Sequence, residues 1–191
     1  MSAKNPSIMS TEISKLRTVA DLTALKEKVS KTRNSKEKIL VCMGGGCIAS
    51  GSAKIKARFE EELKFKGLDD KISVIGTGCL GPCSHGPAVL MGRDKVFYHK
   101  VTASDVSEIV ESHLVNDNCV ERLTFREGQG SVPIPVLTDI SFFNRQTKIV
   151  LRNCGEINPL SIEEYIGNEG YTGLVKALEE IVLARQTQIA A

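Results

Sequence analysis

The chain has 191 residues, a formal charge of +2, 25% charged and 41% hydrophobic residues, and no tryptophan. Such totals describe one globular domain, or one domain with an appendage, built on an aliphatic core; the near-neutral charge speaks against a nucleic-acid binder. No run of about 18 apolar residues occurs, so no membrane insertion is expected. The N-terminal MSAKNPSIMSTEISKLRTVADL has no apolar signal core, and the expected location is the cytoplasm, where six cysteines point to metal or redox chemistry before structural disulfides.

Residues 1–12 are polar and expected to fray, within a flexible N-terminus over 1–17. From Thr18 the pattern predicts a helix: Thr18 and Asp21 resemble a capping box, and Leu22, Leu25 and Val29 form an apolar stripe. The basic stretch 31–38 is expected to be a solvated turn. Lys38–Met43 reads as a buried strand. Ser50 or Ser52 is expected to cap a helix over about 53–66, with Ile55, Phe59 and Leu63 inward and Glu60, Glu61, Glu62, Lys64 and Lys66 in water. Gly67 should end it.

Lys71–Ile75 reads as a second strand. Ala88–Met91, a turn at Gly92–Asp94, and Lys95–Tyr98 predict a β-hairpin. Thr102 or Ser104 caps a further helix to about Leu114. Strand, helix, strand, hairpin, helix is the order of a thioredoxin-like sheet. Beyond it, Asn116–Asn118, Gly128–Gly130, Pro133 and Pro135 have the character of a connector, Thr147–Arg152 reads as a strand, and Ser161–Gly167 and Tyr171–Glu180 read as helices, the latter running on to Leu183.

Both predicted strands of the first half run into cysteine loops. The first is Cys42-Met-Gly-Gly-Gly-Cys47 and the second Cys79-Leu-Gly-Pro-Cys83, C-x4-C followed by C-x3-C with 31 residues between. Four thiolates arriving as two pairs suit a [2Fe–2S] rhomb, two sulfurs for each iron. Glycines in both loops let the backbone approach and aim N–H groups at sulfur. Structural zinc competes, although it favours C-x2-C knuckles; a zinc-binding or regulatory module without electron transfer is the alternative. A thioredoxin-type thiol enzyme would need C-x-x-C, which neither pair has.

Other motifs weigh less. Gly76-Thr-Gly-Cys-Leu-Gly81 has the spacing of a dinucleotide fingerprint, but Pro82 and the residues after it block the helix that fingerprint needs. Gly46-x4-Gly51 is followed by Ser52 where a Walker A loop requires Lys. His85, two residues past Cys83, is expected in an exposed loop, with a hydrogen bond to a cluster sulfur as the less favoured role. Cys119 and Cys154 are isolated and expected to be small, partly buried thiols.

Val41–Ser52 and Gly76–Pro87 resemble the thioredoxin-like [2Fe–2S] ferredoxin fold. More narrowly they resemble the version fused to the N-terminus of the NADH-binding flavoprotein subunit of electron-bifurcating [FeFe]-hydrogenases, NADP-reducing hydrogenases and relatives of the complex I 51-kDa subunit. Val120–Leu123 is similar to the segment leaving the ferredoxin domain. Phe142–Gly155 and Ile157–Ile166 are similar to the start of the flavoprotein region, so the resemblance spans about four fifths of the chain.

The resemblance implies an α/β thioredoxin-like [2Fe–2S] ferredoxin domain over 18–118, a linker over 119–140 and a small α+β appendage over 141–191. It implies ligands Cys42, Cys47, Cys79 and Cys83, with one pair on each iron, and no catalytic residue on this chain. All-cysteine ligation implies a low potential, on the order of −400 mV for plant-type sites. The implied role is a one-electron carrier within a multisubunit NAD(P)H-linked oxidoreductase, partnered by other subunits and by a flavoprotein domain or ferredoxin. The family's FMN, NAD(P) and [4Fe–4S] segments are not expected on this chain, which has the look of a truncated product; Val182–Ala191 matches no expected segment.

Overall fold

Strand β1, Glu37–Cys42, organises the fold. Its run Ile39-Leu-Val-Cys42 is buried throughout, as expected of a strand covered on both faces. β2, Ile72–Thr77, pairs with it in parallel, from Glu37 opposite Ile72 to Cys42 opposite Thr77. On its other side β3, Val89–Met91, runs antiparallel, and β4, Phe97–Tyr98, closes a four-stranded sheet of order β2-β1-β3-β4. These coordinates are a computed structural model that describes residues 16–32 and 36–189. Residues 1–12, expected to fray, and 33–35 of the expected basic turn therefore lie outside the described residues; the ends of that turn are corrected, since Lys31 and Thr32 close a helix and Glu37 and Lys38 open β1.

Side chains alternate between the two faces of each strand. Ile39, Val41, Val89, Met91 and Tyr98 enter one core cluster; Leu40, Cys42, Ile75, Leu90 and Phe97 enter another on the opposite face. Helices close the first face. α1, Val19–Thr32, begins the described fold, and α2, Gly45–Ala49, follows β1 as a short turn. α3, Ser52–Lys66, then lays Ile55, Phe59 and Leu63 on the first face. α4, Val106–Ile109, continues as a π-helical stretch over Val110–Val115 and adds Val106, Ile109 and Val110.

Local capping follows the sequence at three helices. Thr18 N–H donates to Asp21 Oδ2 at 3.0 Å and Asp21 N–H to Thr18 Oγ1 at 3.1 Å. Thr102 and Asp105 form the same reciprocal box ahead of α4. Ser161 accepts from Glu164 N–H at the start of α6, Ile162–Gly167. At α3 the expectation is corrected. The N-cap is Gly51 at φ 94°, and Ser52 is inside the helix, fully buried, its hydroxyl 3.6 Å from Met43 Sδ. Only glycine holds that left-handed turn between α2 and α3 without strain. Gly67, also left-handed, ends α3 as expected. Glu62 is not in water either: it is buried and bridges α3 to α4, accepting from Arg58 at 2.7 Å and from Ser107 at 3.0 Å.

Residues 119–140, expected as a linker, pack along the free edge of β4. Val96 bridges Val136, Tyr98 bridges Thr124, and Phe125 bridges Ile134. Leu123 and Ile140 are buried, at 5% and 0% exposure. The expected strand over Thr147–Arg152 is absent. The segment is a run of bends and turns that pairs with no strand, with Val150 90% exposed. Helix α5, Ser141–Asn144, precedes it, and α7, Thr172–Ile189, extends beyond the expected Leu183. α1 packs on α6: a Cβ at Gly167 would stand 2.7 Å from Val29, and Lys26 pairs with Glu169 at 2.7 Å.

Burial pushes the Asp105 carboxyl up, but hydrogen bonds from Thr102 and Arg122 outweigh it and leave the group below the usual carboxylate range. Its contribution is therefore complete above that range and lost as pH falls through the lowered folded value. Asp105→Ala should lose about 1 kcal/mol of stability at neutral pH. In urea titrations across the acid range, the gap between wild type and variant should narrow as pH falls.

Candidate metal centre

The parallel register places the two cysteine loops side by side. β1 ends at Cys42, β2 ends at its partner Thr77, and each chain then turns into its loop at the same end of the sheet. Cys42 N–H donates to Ala88 O at 2.9 Å and Met43 N–H to Thr77 O at 3.0 Å, fixing the start of the first loop. The triple glycine runs into a short helix. Gly45 and Gly46 are the first residues of α2, and that turn carries Cys47 inward to 5% exposure.

The four cysteines predicted as ligands come together. Cys42, Cys47, Cys79 and Cys83 line one small pocket with Gly44, Leu80, Gly81 and Ala88. The four thiols are mutual neighbours: Cys47 is influenced by both Cys42 and Cys79, and Cys79 by both Cys42 and Cys83. Among the described residues no three His, Cys, Asp or Glu side chains gather as one metal ion would require. The first pair is buried, while Cys79 is half-buried and Cys83 exposed. Burial and the neighbouring Cys42 push the Cys47 thiol up to about 11, and burial raises Cys79 as well. Backbone donors oppose both shifts, Ala88 N–H at Cys47 and Gly81 N–H at Cys79. A metal that replaces the thiol protons inherits those donors.

The backbone is shaped around the sulfurs. A Cβ at Gly86 would stand 2.7 Å from Cys47 Sγ, and one at Gly44 would stand 3.3 Å from Cys79 Cβ. Gly81 takes φ 122°, with the Phe142 and Phe143 rings against it. Two thiol pairs in one pocket, with backbone drawn close on both sides, fit a binuclear iron–sulfur group.

His85 is half-buried, with Ser84 Oγ 3.0 Å from its Nδ1 and its ring against Phe125 and His99. Cys119 lies 3.6 Å from the Tyr98 hydroxyl, which also accepts from Val120 N–H and meets His113 Nδ1 at 2.6 Å. His113 in turn meets Asp94 at 2.9 Å. The sequence left His113 without a role; it anchors this buried network. Cys154 is not remote: its Sγ stands 2.9 Å from where a Cβ on Gly78 would lie. Its neighbour Gly155 N–H donates to Thr77 Oγ1 at 2.9 Å. The Ala88 donor was invisible in the sequence, since a backbone N–H leaves no residue-type signature.

A four-stranded α/β fold that brings four thiols to one pocket is the architecture of an iron–sulfur electron carrier. The profile of the family described as "Thioredoxin-like [2Fe-2S] ferredoxin" matches residues 10–114. The chain is 42% identical over 98 residues to a "Ferredoxin, 2Fe-2S" of Clostridium pasteurianum, covering 96% of that protein and 47% of this chain. It is 37% identical over 86 residues to a "Ferredoxin, 2Fe-2S" of Aquifex aeolicus (strain VF5), covering 78% of that protein and 44% of this chain. A solved thioredoxin-like [2Fe-2S] ferredoxin from Aquifex aeolicus aligns at 30% identity and a TM-score of 0.45, over 99% of its length and 49% of this chain. The chain belongs to the thioredoxin-like [2Fe–2S] ferredoxin family. Its cofactor is a [2Fe–2S] cluster, and it contains an electron-carrier domain. No helix of the described residues is long and apolar enough to cross a membrane.

Gly86→Ala should lower cluster occupancy severalfold, because the added methyl collides with Cys47 Sγ while the backbone, at φ −73°, tolerates alanine. Gly45→Ala meets nothing within 4 Å and should load as wild type. Visible absorbance per polypeptide after anaerobic purification measures both.

Proposed function

We propose that Cys42, Cys47, Cys79 and Cys83 are the cluster ligands, with the first pair on one iron and the second pair on the other. The observation that carries this is the single pocket that all four line. The arrival of the cysteines as one C-x4-C pair and one C-x3-C pair supports the pairing. The bound group supplies reversible one-electron chemistry. The protein does the rest. Gly81 and Ala88 N–H groups face the sulfurs and favour added negative charge. Leu80, buried beside the pocket, excludes water. The exposed Cys83 marks the side from which a redox partner approaches.

The domain serves, in this reading, as a one-electron module of a multisubunit NAD(P)H-linked oxidoreductase, such as a bifurcating hydrogenase or complex I-like dehydrogenase. The similarity of Phe142–Gly155 and Ile157–Ile166 to the start of a 51-kDa-type flavoprotein region supports it. So does the docking of Gly155 on Thr77, which ties that segment to the end of β2. The expected partners are other subunits of a cytoplasmic complex, with a flavoprotein domain or a ferredoxin as electron partner.

Anaerobically purified protein should contain two irons and two acid-labile sulfides per chain. Alanine at any one of Cys42, Cys47, Cys79 or Cys83 should abolish or destabilise the cluster and lower the melting temperature, since ligation is coupled to folding. Cys119→Ala and Cys154→Ala should retain it. Stoichiometric zinc without sulfide would overturn the assignment.

Dithionite should reduce the cluster and yield a rhombic-type EPR signal. NADH alone should leave the visible spectrum of the pure chain unchanged until a separate flavoprotein is added. Rapid bleaching by NADH without one would place a nucleotide site on this chain.

A further inference from the structure

The sheet face that carries Cys42 is closed by residues that lie beyond the matched 10–114. Leu40, Cys42, Cys47, Ile75, Leu80, Ala88, Leu90 and Phe97 form one buried cluster, and Ile140, fully buried, belongs to it. Leu137 and Phe143 pack against the same cluster. Two further contacts reach the second cysteine loop itself. The Phe142 ring stands 3.1 Å from a Cβ position on Gly81, with the Phe143 ring at 3.8 Å, and Cys154 Sγ stands 2.9 Å from one on Gly78. A Cβ on Gly155 would stand 3.2 Å from Leu80 and 3.4 Å from Leu90. The segment 137–155 therefore touches the residues on both sides of Cys79 and lies on the core that holds Cys42 and Cys47.

We infer that Phe142 and Phe143 are positioning residues that form an apolar cover over the second cysteine loop and set how much water reaches the cluster. The inference rests on the four cysteines being the ligands. Reduction adds one negative charge to the site. A medium with little water solvates that charge poorly, so a cover of aromatic side chains disfavours the reduced form and holds the potential low. The same cover blocks the path of a chelator or oxidant to Cys79 from that side, leaving Cys83 as the open side of the site. The two rings meet edge to face, with centroids 5.1 Å apart. Phe143 is anchored edge-on against Phe97 of β4 at 5.4 Å, and the Lys148 ammonium lies 5.7 Å from its centroid. Phe142 keeps 43% of its surface exposed, so it can be shortened with little loss of core.

The test uses the full chain with its cluster. Phe142→Ala and Phe143→Ala should raise the reduced-to-oxidised ratio at a fixed solution potential by about threefold to tenfold, tenfold being 59 mV for a one-electron couple. Bleaching by an iron chelator should be several times faster. In the metal-free protein, amide hydrogen exchange at Leu80 and Gly81 should speed up by a similar factor. Phe142→Leu, which keeps an apolar cover, should restore all three readouts. Phe65→Ala, which removes an aromatic ring 84% exposed on α3, should move none of them. If Phe143→Ala does not fold, Phe142→Ala decides alone. Loaded variants with wild-type ratio, bleaching and exchange overturn the cover. A wild-type chain that binds no iron or sulfide overturns the ligand assignment instead.

Discussion

The register of β1 against β2 is the constraint on which the site depends. Parallel strands leave the sheet at the same end, and pairing Cys42 with Thr77 brings both loops there in step. A slip of one residue would turn Cys42 to the other face of the sheet. The register is held by burial on both sides: Ile39 and Val41 are locked into one core and Leu40 and Cys42 into the other. Each fully buried aliphatic side chain contributes roughly 1.5–3 kcal/mol, so no slipped alignment competes.

Geometry is divided unevenly between the two cysteine pairs. Cys42 belongs to a strand and Cys47 to the turn that follows, both inside the core. Cys79 and Cys83 lie in a loop whose order comes from Gly81, Leu80 and the single helical turn Cys83–His85. The first pair is thus set by the sheet, whereas the second is shaped by what packs over it. That difference makes the segment beyond residue 118 part of the site, although none of its side chains lines the pocket with the four thiols.

Much of the fold was legible because its signals are local. The Thr18–Asp21 box, the Gly67 stop, the hairpin around Gly92 and the helix opening at Ser161 each follow from a few adjacent residues. The convergence of the four cysteines was legible because two strands of similar length each end in a cysteine loop. What failed depended on distant partners. Glu62 looks solvated until Ser107 arrives from another helix. Thr147–Arg152 has a strand's composition but no strand to join. Residues 119–140 have the glycines and prolines of a connector, yet Leu123 and Ile140 are core residues; sequence pattern reports apolarity without saying which surface receives it.

The contact of α1 with α6 has a consequence in time. Lys26 meets Glu169 across 143 residues, so α1, the first helix among the described residues, is among the last to find its neighbour. At synthesis rates of about 5–20 residues per second, α6 follows α1 off the ribosome by roughly 7 to 30 seconds. During that interval the four-stranded sheet can form and its cysteines can meet, while Leu22, Leu25 and Val29 wait in water. Closing so long a loop costs little more entropy than closing one half its length, and the delay is therefore set by translation more than by search. A chain built in this order offers its thiols to iron before α1 and α6 have joined.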